Sequence, residues 1–426
     1  MNKDNEKAIG VIGLGWVGLV TSVCFAELGY NIVAHDILQN KIKDLKNGKT
    51  NLYEPDLPEL LSKNKNKITF TTSVQEVMNK TEIIFICVDT PPTQFGDADL
   101  SKVFAVISNL QASTDHILVM KSTVPPGTGN KIKNYNENIV YVSCPEFLKE
   151  GSAIKDFMSP DRVVIGTTED DKDAGLKVAE LYSQLNSPII FTDLPSAEMI
   201  KIASNAFLAT KISFINEIAN VCEKVDANID DVAFGMGSDT RIGNEFLKAG
   251  IGYGGSCFPK DVSALKTMSG NFGYYFQTLN ATIEVNEMQK RSIINRLKKQ
   301  LGNLHNKQIG LLGMSFKPNT DDIREAPSVV IANRLKSEGA KIVAYDPVAS
   351  NRIKDVIDEI EMTEMPENVF AQSDAVVLIT EWSEFRELNW ENLFGKMLTP
   401  IIIDGRNCLD KERLLQAGFL YQGIGR

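Results

Sequence analysis

Residues 8–18 read Ala8-Ile9-Gly10-Val11-Ile12-Gly13-Leu14-Gly15-Trp16-Val17-Gly18. Ala8 to Ile12 is a short apolar run with the character of a strand. It ends in G-x-G-x-x-G, and Val17 to Leu28 continues as a helix. Ile32 to Ala34 is a second strand, closed by Asp36, 18 residues after Gly18. A lone G-x-G-x-x-G is weak. Strand, glycine turn, helix, strand and acid in this order are the complete setting of a dinucleotide site. Gly13, Gly15 and Gly18 let the backbone approach a pyrophosphate, with Val17 in the same loop, and the helix start supplies N–H donors. Asp36 accepts from a ribose hydroxyl pair and repels a 2′-phosphate, so NAD is expected in preference to NADP.

The same rhythm extends along the chain. Ile83 to Val88, Ile117 to Lys121 and Ile139 to Ser143 are further apolar runs. Continuous runs of this length predict a parallel sheet buried on both faces, in a doubly wound α/β domain. That domain ends near Phe191-Thr192-Asp193, before Pro195 and Ser196 open a helical stretch. There Ile200, Ala203, Phe207 and Ile218 recur near helical spacing. Thr278 to Leu301 reads as one long helix with Ile283, Val285, Met288, Ile294 and Leu297 inward, and is a candidate spine or two-fold surface. Beyond Lys307 the βα rhythm returns, with strands at Gln308 to Leu312, Ala340 to Ala344, Ala375 to Ile379 and Ile401 to Ile403, and a helix at Val329 to Ser337. IGLLGMSFKP at 309–318 parallels IGVIGLGWVG at 9–18 but lacks the third glycine. The expected organisation is two doubly wound, Rossmann-like domains, 1–195 and 303–426, around a helical domain, 196–302, with ligands at the carboxyl ends of the strands.

Composition narrows the function classes. The chain has 426 residues, 43% apolar and 23% charged, with 30 Gly and 16 Pro. That is ordinary globular composition and excludes disordered and collagenous classes. A net charge of −10 argues against a general nucleic-acid or anionic-membrane binder, so a few placed cations must hold any anionic ligand. The six cysteines form no C-x-x-C pair and there are three histidines, so neither a zinc site nor a disulfide scaffold is expected. MNKDNEK is no signal peptide, and no apolar run approaches the ~18 residues of a membrane span, so a cytoplasmic protein is expected.

Gly252-Tyr253-Gly254-Gly255-Ser256-Cys257-Phe258-Pro259-Lys260-Asp261 carries the chemistry. Three glycines make a loop whose backbone can touch a ligand, and Pro259 suits a first helical turn. Cys257 then sits at a helix start with Lys260 near, a setting that favours thiolate. Asp261, four residues on, gives a nucleophile with an acidic partner. Cys24, Cys87 and Cys222 lie in apolar segments and read as small buried residues; Cys144 and Cys408 need no role. Lys201 and Asn205, four apart on one helix face, pair an ammonium with a carboxamide for an oxyanion, although such pairs are more often solvated surface. The turn Lys121 to Thr128 and Pro145-Glu146-Phe147 both close strands where ligands are met.

The ordered set of segments resembles the nucleotide-sugar dehydrogenases of the UDP-glucose/GDP-mannose family along essentially the whole chain. It comprises the glycine loop, KSTVPPGT, PEFLKEGSAIKD, Lys201 with Asn205, RIGNEFLKAGIGYGGSCFPKD, FKPNTDDIREAPS and the DGR at 404–406. The resemblance implies NAD-dependent oxidation of UDP-glucose to UDP-glucuronate, serving polysaccharide synthesis. GDP-mannose and N-acetylated UDP-hexosamines are the alternative substrates; relatives acting on the latter commonly have His where this chain has Ser256. It implies Cys257 as nucleophile, with Lys201, Asn205 and Asp261 steadying the oxyanion and water, and Thr123 and Glu146 in water positioning and acid–base work. Glu146, Phe147, Leu148, Lys149 and Glu150 match a loop on the sugar nucleotide, with Arg241 (from the neighbouring subunit), Phe246, Tyr253, Gly254, Phe316, Lys317 and Arg406 as further substrate contacts. Lys41, Thr90, Thr123, Glu150, Lys260 and Arg324 match cofactor contacts. A homodimer or a larger assembly of dimers is implied, and no metal. Relatives often have Gly at the position of Asp56, which touches only the local turn. Two other classes compete. A single-step hydroxyacid dehydrogenase has no use for Cys257, and a non-catalytic binder of NAD or nucleotide sugar would carry a degenerate thiol loop.

Overall fold

The computed structural model describes residues 8–110 and 116–426. They form two compact units: the described residues up to Ser204 with Ser263–Met268, and Asn205–Val262 with Ser269–Arg426. The first unit is built on an eight-stranded sheet: β1 (Ala8–Ile12), β2 (Ile32–His35), β3 (Ile68–Thr71), β4 (Thr81–Ile86), β5 (Ile117–Met120), β6 (Val140–Ser143), β7 (Val163–Thr167) and β8 (Ile189–Asp193). Their order is β3-β2-β1-β4-β5-β6-β7-β8. All neighbours are parallel except β6 and β7, where Ser143 lies opposite Gly166 in an antiparallel contact. The order reverses between β1 and β4, the switch point at which such sheets bind ligands. Helices cover both faces, which is why β5 is apolar and buried throughout. The helix Trp16–Glu27 is buried on nearly every side. Its Phe25 packs 5.1 Å from the rings of Phe85 and Phe157. Truncating such a ring to Ala costs about 3–5 kcal/mol.

The second unit holds a six-stranded parallel sheet: β9 (Gln308–Leu312), β10 (Lys341–Tyr345), β11 (Glu361–Met362), β12 (Ala375–Leu378), β13 (Ile401–Asp404) and β14 (Leu420–Gln422). Its order, β11-β10-β9-β12-β13-β14, repeats the reversal of the first sheet. The expected doubly wound α/β class is therefore present twice. Strand ends differ by one or two residues from expectation, since Cys87 and Val88 already belong to the turn beyond β4. Strands β3, β7, β8, β11 and β14 escaped the reading because they are short or lie toward sheet edges, where apolar runs are weakest.

Two long helices follow, Leu194–Val225 and Gln277–Leu301, and the second corrects the expected facing in part. On the second, Ile294 and Leu297 are buried, Ile283 and Val285 are half-buried, and Met288 is 61% exposed. Asn286, Gln289 and Lys290 are buried in its place. On the first, Ala203 and Phe207 are exposed and Ile200 and Ile218 half-buried, while Ile202, Ala206, Ala209, Ile215, Ala219 and Cys222 turn inward. Among the described residues no helix is long and apolar enough to cross a membrane.

Candidate active site

The glycine loop follows β1 in the first unit. Gly13 has φ 90°, and a Cβ there would sit 2.8 Å from the Cys87 carbonyl oxygen. A Cβ on Gly18 would collide with the Gly13 carbonyl oxygen. These two glycines make the turn itself. A Cβ on Gly15 would meet only Asp89 Oδ1, at 3.6 Å, so this part of the loop is the open cradle. Asp36 faces it. Its Oδ2 accepts from the Leu14 N–H at 3.1 Å and Lys41 Nζ at 3.0 Å, and its Oδ1 from the Leu38 N–H at 3.0 Å. Burial alone would raise this carboxyl, but the Leu38 N–H, Lys41 and the Leu14 N–H together hold it below the ordinary range. The carboxylate offers about four lone-pair directions, so one remains for a ribose hydroxyl. A groove of about 490 Å³ lined by Leu14, Leu38, Lys41 and Leu52 adjoins it. Cradle, acid and groove fit a dinucleotide.

A second cluster of the first unit surrounds Glu146. Lys201 Nζ pairs with its Oε1 at 2.9 Å, both side chains being almost fully buried. Its Oε2 accepts the Leu148 N–H at 2.5 Å. The Phe147 ring has the Arg162 guanidinium 3.7 Å away and Lys201 Nζ 5.5 Å away. A buried pair of this kind adds little net stability but holds two charges out of water, where they act strongly on any reacting group. Thr90 is buried and its hydroxyl donates to the Thr123 carbonyl at 2.7 Å, which fixes the turn after β5. Lys149 is exposed and pairs with Asp156, while Glu150 is half-buried.

In the second unit Cys257 immediately precedes the helix Phe258–Asn271, and its carbonyl accepts the Asp261 N–H at 2.9 Å. Cys257 is half-buried, with Ser256 Oγ 3.6 Å from its sulfur. Burial pushes the thiols of Cys24, Cys87 and Cys408 up to about 12. Asp261 is buried; its Oδ2 accepts Asn205 Nδ2 at 2.6 Å and its Oδ1 accepts Lys260 Nζ at 2.6 Å. Lys201 and Asn205 share the helix Leu194–Val225 one turn apart, each held by its own carboxylate.

The glycine loop ahead of Cys257 is pinned by three buried amides. Asn216 Oδ1 accepts the Gly250 N–H at 2.8 Å, and Gln289 Nε2 donates to the Gly250 carbonyl at 2.7 Å. Asn286 accepts the Tyr253 N–H at 2.8 Å and donates to the Tyr253 carbonyl at 3.1 Å. A buried loop leaves its peptide groups without water, and these amides replace it. Gly254 lies too near the Glu325 carbonyl for any side chain, and a Cβ on Gly255 would meet the Phe316 ring at 2.7 Å. Phe246, held at φ 65° where a bulky residue is strained, stands 6.1 Å from Phe258, which stands 5.9 Å from Tyr253. Lys317 lies 5.2 Å over Phe316. Arg406 donates to the carbonyls of Ile379, Gly252 and Phe316 and braces the loop. Arg241 and Arg324 are exposed and pair with their own neighbours Asp239 and Asp322. In this unit Asp346 takes the place of Asp36, but its carboxylate is filled by the N–H groups of Met314, Ser315, Val348 and Ala349. The second turn is thus closed by its own backbone.

Sequence reasoning passed over Asn216, Asn286, Gln289 and Glu54. The available signal for two of them was spacing. Asn286, Gln289, Lys290, Ile293, Ile294 and Leu297 form one buried stripe, in which polar residues continue an apolar face.

Comparisons with known proteins bear on the whole chain. The UDP-glucose/GDP-mannose dehydrogenase family is matched by its NAD binding domain at residues 7–186, its central domain at 195–288 and its UDP binding domain at 310–411. A UDP-glucose 6-dehydrogenase of Bacillus subtilis (strain 168) is 46% identical over 430 residues, covering 98% of this chain and 97% of that protein. One of Rhizobium meliloti (strain 1021) is 41% identical over 435 residues, covering 98% and 99%. The structure of a UDP-glucose dehydrogenase from the hyperthermophilic archaeon Pyrobaculum islandicum matches with a TM-score of 0.90 at 34% identity, covering 99% of this chain and 98% of that one.

Proposed function

The chain belongs to the UDP-glucose/GDP-mannose dehydrogenase family, and from that premise we propose that it oxidises UDP-glucose to UDP-glucuronate with NAD, through a covalent adduct on Cys257. In this reading residues 1–195 hold NAD, 196–302 carry the thiol loop and a self-association surface, and 303–426 hold the UDP half. The observation that carries it is the setting of Cys257: a half-buried thiol at a helix start, behind a pinned glycine loop, with Asn205, Lys260 and Asp261 linked beside it.

Converting a primary alcohol to a carboxylate removes four electrons. One alcohol, two NAD and one water give one carboxylate, two NADH and three protons. NAD supplies the hydride acceptor, and Gly13, Gly15, Gly18 and Asp36 would hold it, with Val17, Lys41, Thr90, Thr123, Glu150, Lys260 and Arg324 as further contacts. Cys257 retains the substrate between the two oxidations. Its thiolate forms a C–S bond to the aldehyde carbon and gives a thiohemiacetal, from which the second hydride leaves a thioester. Water then breaks that C–S bond and the thiol departs. Lys201 and Asn205 stabilise the oxyanion, each pre-oriented by a buried carboxylate. Glu146 and Thr123 position the water and exchange its protons, and Asp261 orients Asn205. Phe147, Leu148, Lys149, Phe246, Tyr253, Gly254, Phe316, Lys317 and Arg406 serve the sugar nucleotide.

The working form is a homodimer or an assembly of dimers. Phe207, Phe214, Val221 and Val225 are all exposed on the helix Leu194–Val225, the first three at seven-residue spacing, and this stripe supports a helix-to-helix contact. The helix Gln277–Leu301 is less suited, because its stripe is already buried. No disulfide is formed among the described residues, which suits a reducing cytoplasm. The deciding experiment counts NADH against UDP-glucuronate. Two NADH per sugar are expected, with Cys257→Ser losing steady turnover; one NADH per sugar, or a fully active serine variant, would overturn the covalent four-electron reading.

A further inference from the structure

Glu54 lies in Leu52-Tyr53-Glu54-Pro55-Asp56-Leu57, a segment to which the reaction above assigns nothing. It is 4% exposed. Its Oε2 accepts both the indole N–H of Trp16, at 2.9 Å, and the peptide N–H of Gly151, at 2.7 Å. Its Oε1 accepts the N–H of Ala153 at 2.8 Å. Trp16 is part of the dinucleotide loop and the first residue of the helix behind it. Gly151, at φ 81°, ends the loop that begins at Glu146 and carries Phe147 and Glu150. One buried oxygen therefore joins the cofactor loop to the sugar-nucleotide loop, across 38 and 97 residues of chain.

We propose that Glu54 is a positioning residue that couples NAD binding to UDP-sugar binding, through the shared hydrogen bonds to Trp16 and Gly151. The inference rests on the assignment of the two loops to these two ligands. The physical argument is ordering. A ligand that settles the glycine loop fixes Trp16, hence the carboxylate, hence Gly151. The second ligand then finds its loop already ordered and pays less entropy on binding. Thermodynamic linkage makes the effect reciprocal. A carboxylate suits the task because both of its oxygens only accept, and charge-assisted bonds to N–H donors are stronger than neutral ones.

The test is equilibrium binding of NADH to the full chain, followed by NADH fluorescence, with and without saturating UDP-glucose. The reduced cofactor cannot oxidise the sugar, so no turnover intrudes. In the wild type NADH should bind about fivefold or more tightly when UDP-glucose is present, and UDP-glucose should gain the same factor from NADH. Trp16→Phe keeps an aromatic ring and removes only the N–H that reaches Glu54. Its coupling factor should fall toward one, whatever the change in either separate affinity. Glu54→Leu removes both acceptor oxygens and should lose the coupling too. An equal factor in wild type and Trp16→Phe, or no coupling in the wild type, would overturn the proposal. Failure of the wild type to bind UDP-glucose at all would overturn the substrate assignment and this coupling with it.

Discussion

Glu198 stands three residues before Lys201 and turns its carboxylate onto the start of the helix Thr128–Tyr135, where it accepts the N–H groups of Gly127 at 2.6 Å and Gly129 at 2.7 Å. Burial pushes its carboxyl up to about 7 from an ordinary 4.5, against the pull of the Gly129, Gly127 and Thr128 N–H groups and of Lys131. A carboxyl raised on folding binds its proton more tightly in the folded chain. Its contribution to stability is therefore complete below about pH 4.5 and is lost as pH rises through about 7. Between pH 5 and pH 8 the wild type should lose about 2–3 kcal/mol more than Glu198→Gln. Urea unfolding of both proteins at the two pH values checks this, and parallel losses would refute it. Asp56 poses a simpler case. It occupies the left-handed region at φ 63°, where an L-residue is strained and glycine is not. Asp56→Gly should raise stability by about 0.5–1 kcal/mol, the relief exceeding the added freedom of the unfolded chain; a lower urea midpoint would contradict it. At this scale the helix start at Cys257 was legible from Pro259 and the glycines just before it, and Asp36 from the strand it closes 18 residues after the glycine loop. Glu54 and Glu198 were not, because their partners lie up to about a hundred residues away and no local pattern names them.

The helix Gln277–Leu301 divides its buried face between two tasks. Ile293, Ile294 and Leu297 pack in the core of the second unit, and Asn286 and Gln289 serve the loop before Cys257. Removing the Asn286 side chain leaves the Tyr253 N–H and carbonyl buried and unpaired. Asn286→Ala should cost about 2–4 kcal/mol of stability, at about 1–3 kcal/mol per stranded group. It should also lower kcat by about tenfold or more, since small misplacements of a reacting group are costly. The discriminating measurement is the alkylation rate of Cys257 by iodoacetamide in the folded variant. A changed rate marks a displaced loop, whereas an unchanged rate with unchanged kcat would make the amides a structural support alone. Strands behave differently. Apolar runs announced β1, β2, β5 and β9 because a buried parallel strand can place only apolar residues on either face, whereas a long helix has several faces and composition does not say which one meets the protein.

For the whole molecule the acidic balance has a direct reading. With a net charge of −10, the chain must meet an anionic sugar nucleotide and a dinucleotide with individual cations. Arg241 is one of them in the proposed assembly. Its side chain is 87% exposed and pairs with Asp239, two residues away, an exposure that the proposed contact with a neighbouring subunit requires. Mixing Arg241→Ala with Cys257→Ser chains under conditions of subunit exchange should restore up to about a quarter of wild-type activity, because about half of randomly mixed dimers are hybrids and one of the two sites in each has both residues. Proven exchange without recovery would place Arg241 within its own subunit's site.

The residue order alone was sufficient for the two doubly wound sheets, the NAD cradle and the thiol at a helix start. Each rests on contacts within a turn or a strand pair, where backbone geometry follows from periodicity, glycine and proline. Folding in three dimensions was needed to assign Lys201 to Glu146 and Asn205 to Asp261, to fill Asp346 with backbone donors while Asp36 keeps room for a ribose, and to turn Asn286 rather than Met288 inward. Those outcomes depend on which buried peptide and charge must find a partner, and the partner is chosen by the packing of distant segments, because an unpaired polar group away from water is too costly to leave.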